Sequence, residues 1–430
     1  MNRLCLLSLA LVLPLSAKEV PPLPQALSAY VLDPAPEPSG LLLKKGDRVA
    51  ICGDSITEQK RYSVIMESYL TACLPELEIT CRQYGWSGEQ AGGFLGRLQG
   101  DVLRFQPTFA TTCYGMNDFR YVPFNEAIAE EYRKNETAMV QAFKSAGARV
   151  LLGSSGIIDT VPHWVKSAAG TKEDLNLALS KFRNIGIQIA AAEQVAFADV
   201  YQPMLLADYE AEKLHGPEFM VSGKDGVHPG WAGQVIMAYA FLKGMGIDGD
   251  LGTITYDAAA GTATSSFGHE VLSSQDGSIR IKSTKLPFSP GPGDVKNDDS
   301  IAAGLALIPF DDELNRFTLK VAGGTAAAYD VTWGGVTRSY PAEQLKAGIN
   351  LAKDFPSHPL IPAFKKIWDA VEAKQNYETR QIKTLVHGPE GAADLDGTFA
   401  VTEKARAPLA KAIADAKQPA EHVITVKAKS

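Results

Sequence analysis

Residues 48–55 read Arg48-Val49-Ala50-Ile51-Cys52-Gly53-Asp54-Ser55. Four apolar residues in a row, closed at once by small and polar turn residues, predict a short buried strand over 48–52. The turn after it delivers Ser55 to the strand end. The run is continuous, not alternating, as expected of a strand covered on both faces by helices. The same unit recurs along the chain. Residues 62–73, 90–105, 125–146, 173–193 and 229–245 carry helical spacing, and residues 77–84, 109–114, 149–153 and 195–200 read as further strands. Strands alternating with helices of this length build βαβ units and a parallel sheet. Five strands predict an α/β domain over 48–248, a flavodoxin-like three-layer α/β/α sandwich with a parallel five-stranded sheet. In such a sheet, ligands sit outside the carboxyl ends of the strands.

Other stretches flank this domain. Arg3 followed by the apolar run from Leu4 to Leu15, with small Ser16 and Ala17, reads as a signal peptide over 1–17. The run is too short for a bilayer, which needs about 20 residues, so an extracytoplasmic protein, periplasmic or secreted, is expected, with no membrane span. Six prolines between 21 and 38 mark an extended N-terminal segment over 18–47. After Gly249 the rhythm stops. Residues 249–345 are rich in Gly, Thr, Ser and Asp and read as a β-rich accessory region, with 278–282, 317–321 and 329–333 as its clearest strands. Trp333 and Tyr340 are candidate glycan-stacking aromatics there, although Trp333 reads better as core. Residues 346–430 read as a helical C-terminal region. Ile361, Phe364, Ile367, Trp368 and Val371 share one helical face, a second helix covers 403–416, and 422–426 reads as a last strand.

Composition excludes some classes. The chain of 430 residues has a formal net charge of -7 and no run of Lys or Arg. Nothing therefore draws it to a phosphate backbone, and no nucleic-acid partner is expected. Of five cysteines, Cys5 lies in the leader, and Cys52 and Cys113 sit in apolar strands. Cys73 and Cys81 bracket a short loop and leave a disulfide open. No Cys-x-x-Cys and no His-Glu-x-x-His occurs, so neither a metal nor another cofactor is expected.

Four strand ends carry chemistry-bearing residues. Ser55 ends the first unit just before a helix, where a hydroxyl is either a nucleophile or merely a cap. The second ends in Tyr84-Gly85-Trp86-Ser87-Gly88, where a glycine N–H can serve an oxyanion; Gly85 rivals Gly88 for that role. The third ends in Tyr114-Gly115-Met116-Asn117-Asp118, which offers the Asn117 amide. The last is Asp225-Gly226-Val227-His228, in which a carboxylate three residues before an imidazole can fold back and orient it. Trp86, Tyr114, Met116, Phe119 and Arg120 lie beside these positions and are candidate substrate-lining residues; His163 and Trp164 also stand near a strand end. His215, His269, His358, His387 and His422 show no supporting pattern and read as structural or solvated.

These four blocks, in this order, resemble the SGNH/GDSL hydrolase family, with Ile56 in place of the usual Leu. The resemblance covers about residues 46–246. It implies a serine ester hydrolase with catalytic Ser55, Asp225 and His228 and an oxyanion hole from Ser55, Gly88 and Asn117. It further implies a small acyl ester as substrate, with acetyl on a carbohydrate as the expected case. A lipase or lysophospholipase would use the same residues, an acyltransferase is a second enzymatic reading, and an inactive glycan-binding relative is the non-enzymatic one. No Gly-x-Ser-x-Gly occurs, which disfavours the other large esterase fold.

Overall fold

The computed structural model describes residues 23–166 and 170–429. The expected signal peptide lies outside the described residues. In the first half the elements run β1 (Arg48–Gly53), α1 (Ser55–Glu58), α2 (Tyr62–Cys73), β2 (Thr80–Gln83), α3 (Ala91–Asp101), β3 (Phe109–Cys113), α4 (Glu126–Ser145), β4 (Arg149–Gly153), α5 (Lys172–Glu193), β5 (Ala196–Ala198), α6 (Tyr201–His215) and α7 (Trp231–Gly244). The five strands are parallel, in the order β2-β1-β3-β4-β5, so the α/β sandwich read from the sequence is the observed fold. The chain steps from β1 outward to β2 and then back past β1 to β3. A crevice therefore opens at the carboxyl ends of β1 and β3.

The elements form for local reasons. Every residue of β1 after Arg48 is buried, as a strand between two helical layers requires. On α4 the buried residues Ala129, Tyr132, Glu136, Met139, Val140 and Phe143 form one stripe at helical spacing. Asn125 caps its start by accepting from the N–H groups of Ala127 and Ile128. Helix α7 is buried nearly all round, as a helix between two packed layers must be.

Two elements of the first half differ from the sequence reading, and in the second half the helix read over 403–416 starts at Leu395, eight residues earlier. The stretch 77–84 starts its strand only at Thr80, because residues 75–77 form a 3-10 turn and Glu78 takes a positive φ of 51°. The stretch 195–200 shortens to β5 and runs into α6, which the sequence reading did not anticipate. Pro203 looks like a breaker, but it lies in the first turn of α6, where an N–H has no intrahelical partner to lose.

The second half continues with β6 (Asp250–Asp257), β7 (Thr262–Ser265), β8 (His269–Gln275), β9 (Ser278–Ser283), α8 (Ile301–Leu307), α9 (Phe310–Glu313), β10 (Arg316–Ala322), β11 (Ala328–Trp333), β12 (Val336–Pro341), α10 (Ala342–Ala347), β13 (Ile349–Asn350), α11 (Leu351–Asp354), α12 (Ile361–Arg380), a π-helical turn (Gln381–Val386), α13 (Pro389–Ala393), α14 (Leu395–Ala416) and β14 (Ala420–Ala428). Two sheets form, β13-β10-β6-β7 and β12-β11-β14-β9-β8. They share a core in which Phe317 of one meets Trp333 of the other at 5.8 Å between rings. Trp333 and Tyr340 are both buried, so neither is the exposed glycan platform considered from the sequence.

The chain does not divide at residue 345 as drawn from composition. Strand β14 sits between β11 and β9, in the middle of its sheet, because its alternating pattern buries His422, Ile424 and Val426. Helix α12 leaves that region and packs on the first domain. Strand β2 is an edge strand, and edge backbone must be covered or paired. Here Glu378 accepts from the Gln83 N–H at 3.1 Å, and the Lys374 ammonium donates to the Cys81 carbonyl at 2.6 Å. Gln375 both donates to the Ser63 carbonyl and accepts from its hydroxyl. Lys374 is held between Glu67 and Glu378, each at 3.0 Å, and Arg406 of α14 also pairs with Glu378. Cys73 and Cys81 are free, buried thiols. No described helix is long and apolar enough to cross a membrane.

Removing one member of a buried ion network strands the others. Glu378→Ala is therefore expected to lower the unfolding free energy by about 3–5 kcal/mol, measured by urea unfolding. A loss below about 1 kcal/mol would mean that the α12 seam is held by apolar packing alone.

Candidate active site

Ser55 is the first residue of α1, and Asp54 caps that helix through its Oδ1, which accepts from the Ile56 N–H at 2.9 Å. The Ser55 N–H thus belongs to the set of first-turn amides that have no partner within the helix. Two successive turns over residues 220–226 lead the chain into Asp225–His228. Gly223 donates to the Met220 carbonyl, and Gly226 to that of Gly223. Asp225 Oδ1 accepts from the N–H groups of Val227 and His228 at 3.0 and 2.9 Å, which leaves Oδ2 for the His228 Nδ1 at 2.7 Å. With the proton on Nδ1 facing the carboxylate, Nε2 is left as the acceptor. The Ser55 Oγ lies 2.8 Å from that Nε2. Part-burial disfavours the Asp225 charge, but the two backbone N–H groups and the imidazole outweigh it and hold its carboxyl below the ordinary value. The three side chains thus form one continuous hydrogen-bonded line. It opens into a cavity of about 370 Å³ lined by Ser55, Glu58, Gln59, Ser87, Asp225 and His228.

The two glycines that the sequence left as rivals have different surroundings. A Cβ on Gly85 would strike the backbone of Thr57 and Glu58, so Gly85 lets the loop after β2 lie against α1. Gly88 takes a φ of +75°, is exposed, and has open space where a Cβ would stand. The Asn117 amide lies between Asp54 Oδ2 at 3.4 Å and the Glu89 carbonyl at 3.1 Å. Asp118 ties this loop together, accepting from the N–H of Gly115 and from that of Ala91 at the start of α3, both at 2.9 Å.

The candidate substrate-lining residues separate into two groups. Tyr114, Met116 and Phe119 are buried at 0, 2 and 1% exposure. They are core residues and offer no surface to a substrate; the Tyr114 hydroxyl donates to Glu89. Arg120 is exposed but engaged by Glu131 at 2.6 Å. Trp86 is half-buried, with Arg97 and Lys383 at 5.0 and 5.1 Å from its ring and His387 against its edge. Trp164 is the aromatic that reaches the site, its ring 5.9 Å from His228. Three residues with no sequence signal also contribute. Gln234 donates to Gln59 Oε1 at 2.7 Å. Asp159 Oδ2 accepts from the Ser222 N–H at 2.6 Å, anchoring the loop that carries His228. Glu58 faces the cavity itself. His269, His358 and His422 are tied into the β-domain core. Among the described residues, no three His, Cys, Asp or Glu side chains cluster as a metal site needs.

Residues 51–236 match the GDSL-like lipase/acylhydrolase family. An acetylxylan esterase of Geobacillus stearothermophilus is 26% identical over 225 residues, covering 47% of this chain and 95% of that protein. Among solved structures, a gut microbial diltiazem-metabolizing enzyme superposes with a TM-score of 0.70 at 23% identity. The match covers 90% of this chain and 98% of the other, so the fold of the C-terminal half is shared as well.

Complete burial pushes the Asp54 carboxyl, next to the proposed nucleophile, up to about 7, against the pull of the Ile56 N–H. A carboxyl raised on folding contributes stability in full below its unfolded value, near 4, and loses it as pH rises through about 7. Wild-type melting temperature is expected to fall between pH 5 and pH 8 relative to Asp54→Asn, which has no proton to lose. Parallel curves for the two proteins would contradict that protonation.

Proposed function

With residues 51–236 belonging to the GDSL-like lipase/acylhydrolase family and the chain therefore a carboxylic ester hydrolase, we propose that Ser55 is its nucleophile. His228 is the general base and Asp225 the residue that orients it. The observation that carries this reading is the unbroken Asp225–His228–Ser55 line at 2.7 and 2.8 Å, open to a cavity at its serine end. Ser55 Oγ attacks the ester carbonyl while His228 Nε2 takes its proton. The imidazolium, stabilised by Asp225, returns that proton to the leaving alcohol. Water then repeats the sequence on the acyl-enzyme and releases the acid. The oxyanion is received by the N–H groups of Ser55 and Gly88 and by the Asn117 amide, whose 3.4 Å contact with Asp54 is the weaker of its two bonds.

The substrate follows from the lining. Among the described residues, the cavity is lined by Ser, Glu, Gln, Asp and His side chains and by no aliphatic one. A long acyl chain would forgo about 0.8 kcal/mol for each CH₂ left in water, so the acyl group is short, and acetyl fits. An aromatic ring stands beside the triad, as sugar stacking would use. Trp164 is that ring, 5.9 Å from the His228 imidazole. A carbohydrate O-acetyl ester is the substrate these features favour. Export of the protein is part of the same reading, supported by Arg3 and the apolar run that follows it.

Hydrolysis is expected to fall steeply from acetyl to octanoyl p-nitrophenyl esters, with release of acetate from acetylated oligosaccharides. Ser55→Ala is expected to cost a factor on the order of 10⁴ or more in kcat. Preference for the octanoyl ester would point to the lipase reading, and activity surviving in Ser55→Ala would overturn the assignment.

A further inference from the structure

The C-terminal half contacts a residue of the active-site cavity through Lys383. This residue lies in the π-helical turn Gln381–Val386 that follows α12, a geometry that is rare and concentrates at functional sites. The Lys383 ammonium is 2.8 Å from both carboxylate oxygens of Glu58. Glu58 lines the cavity with Ser55 and His228, and its Oε2 also accepts the Ser87 N–H at 2.5 Å. Ser87 is the residue before Gly88. A line of charge and hydrogen bonds thus runs from position 383, through the carboxylate, to the loop that presents the Gly88 amide. The same segment braces that loop a second time. Lys383 stands 5.1 Å from the Trp86 ring, and His387 meets that ring edge-on at 5.0 Å while bonding Asp101 of α3 at 2.8 Å.

Taking Ser55 and Gly88 in the roles given above, we propose that Lys383 is a positioning residue for ester hydrolysis. It acts through Glu58 in two ways. It fixes the carboxylate that holds the Ser87 N–H, and so the direction of the neighbouring Gly88 N–H. It also neutralises a carboxylate in the cavity where a negative oxygen develops during attack, since an unpaired anion there would raise the barrier. Both partners are about a quarter exposed, and such pairs add little to stability. The contact therefore bears on turnover more than on folding.

The test uses the full-length protein with p-nitrophenyl acetate. Lys383→Met is expected to lower kcat by about tenfold or more with KM within about twofold and an almost unchanged melting temperature. Lys383→Arg, which can still pair with Glu58, is expected to keep kcat within about twofold of wild type. Adding Glu58→Gln to Lys383→Met is expected to recover part of the loss, because a neutral amide oxygen still accepts from Ser87. Unchanged kcat in Lys383→Met, a loss in Lys383→Arg as large as in Lys383→Met, or a kcat loss matched by loss of the cooperative melt would each overturn the proposal. Labelling of wild-type Ser55 by a fluorophosphonate separates the two readings. If wild type is labelled and active and Lys383→Met equals it, only the role of Lys383 fails. A wild type neither labelled nor active removes the esterase reading beneath it.

Discussion

A hydroxyl and an imidazole 173 residues apart in the chain must lie 2.8 Å from each other, and this constraint organises the first half of the molecule. Neither group can be moved by its own loop alone. Ser55 is fixed because α1 starts immediately after β1, with Asp54 locking the turn. His228 is fixed because its two turns are strapped to the far side of the same sheet through Asp159, and because α7 leaves from Trp231 into the core. A parallel sheet makes the meeting possible, since all its carboxyl ends face one rim. The order β2-β1-β3-β4-β5 opens that rim beside β1.

The second half of the chain is packed into this arrangement. An α/β sandwich leaves two edge strands, and one of them, β2, ends in the loop carrying Gly88. Covering that edge with α12 satisfies the backbone of Cys81 and Gln83 through Lys374 and Glu378. The same helix runs on into the π-helical turn and brings Lys383 to Glu58. One packing solution therefore serves stability at the helix and geometry at the cavity. Meanwhile β14 returns the chain end to the centre of the β-domain, so the helical excursion is pinned at both ends.

Much of the fold was legible because its strands are buried on both faces. A continuous apolar run such as 48–52 or 149–153 has few other readings, and helices α2 and α4 follow from helical spacing. What was hidden depended on direction and distance. Tyr114, Met116 and Phe119 stand beside Asn117 in sequence, but the backbone turns them into the core; sequence neighbours of a motif share its position and not its orientation. Helix α6 follows β5 almost at once, so no turn signal separates the two, and Pro203 in its first turn is compatible with a helix there. Ser55, Asn117, Asp225 and His228 could be singled out as candidates, since each closes a recognisable unit. Glu58 and Lys383 could not, being 325 residues apart and joined by no local pattern. The roles of β14 and α12 are likewise long-range pairings that composition cannot show.

The most direct examination of the central claim is a crystal structure of the protein after reaction with a small fluorophosphonate, whose tetrahedral phosphorus mimics the species formed on attack. The account predicts a covalent bond to Ser55 Oγ, with one phosphoryl oxygen about 2.7–3.1 Å from the N–H groups of Ser55 and Gly88 and from the Asn117 amide nitrogen. An adduct on another residue, or a Ser55 adduct whose oxygens all face away from those three donors, would contradict it.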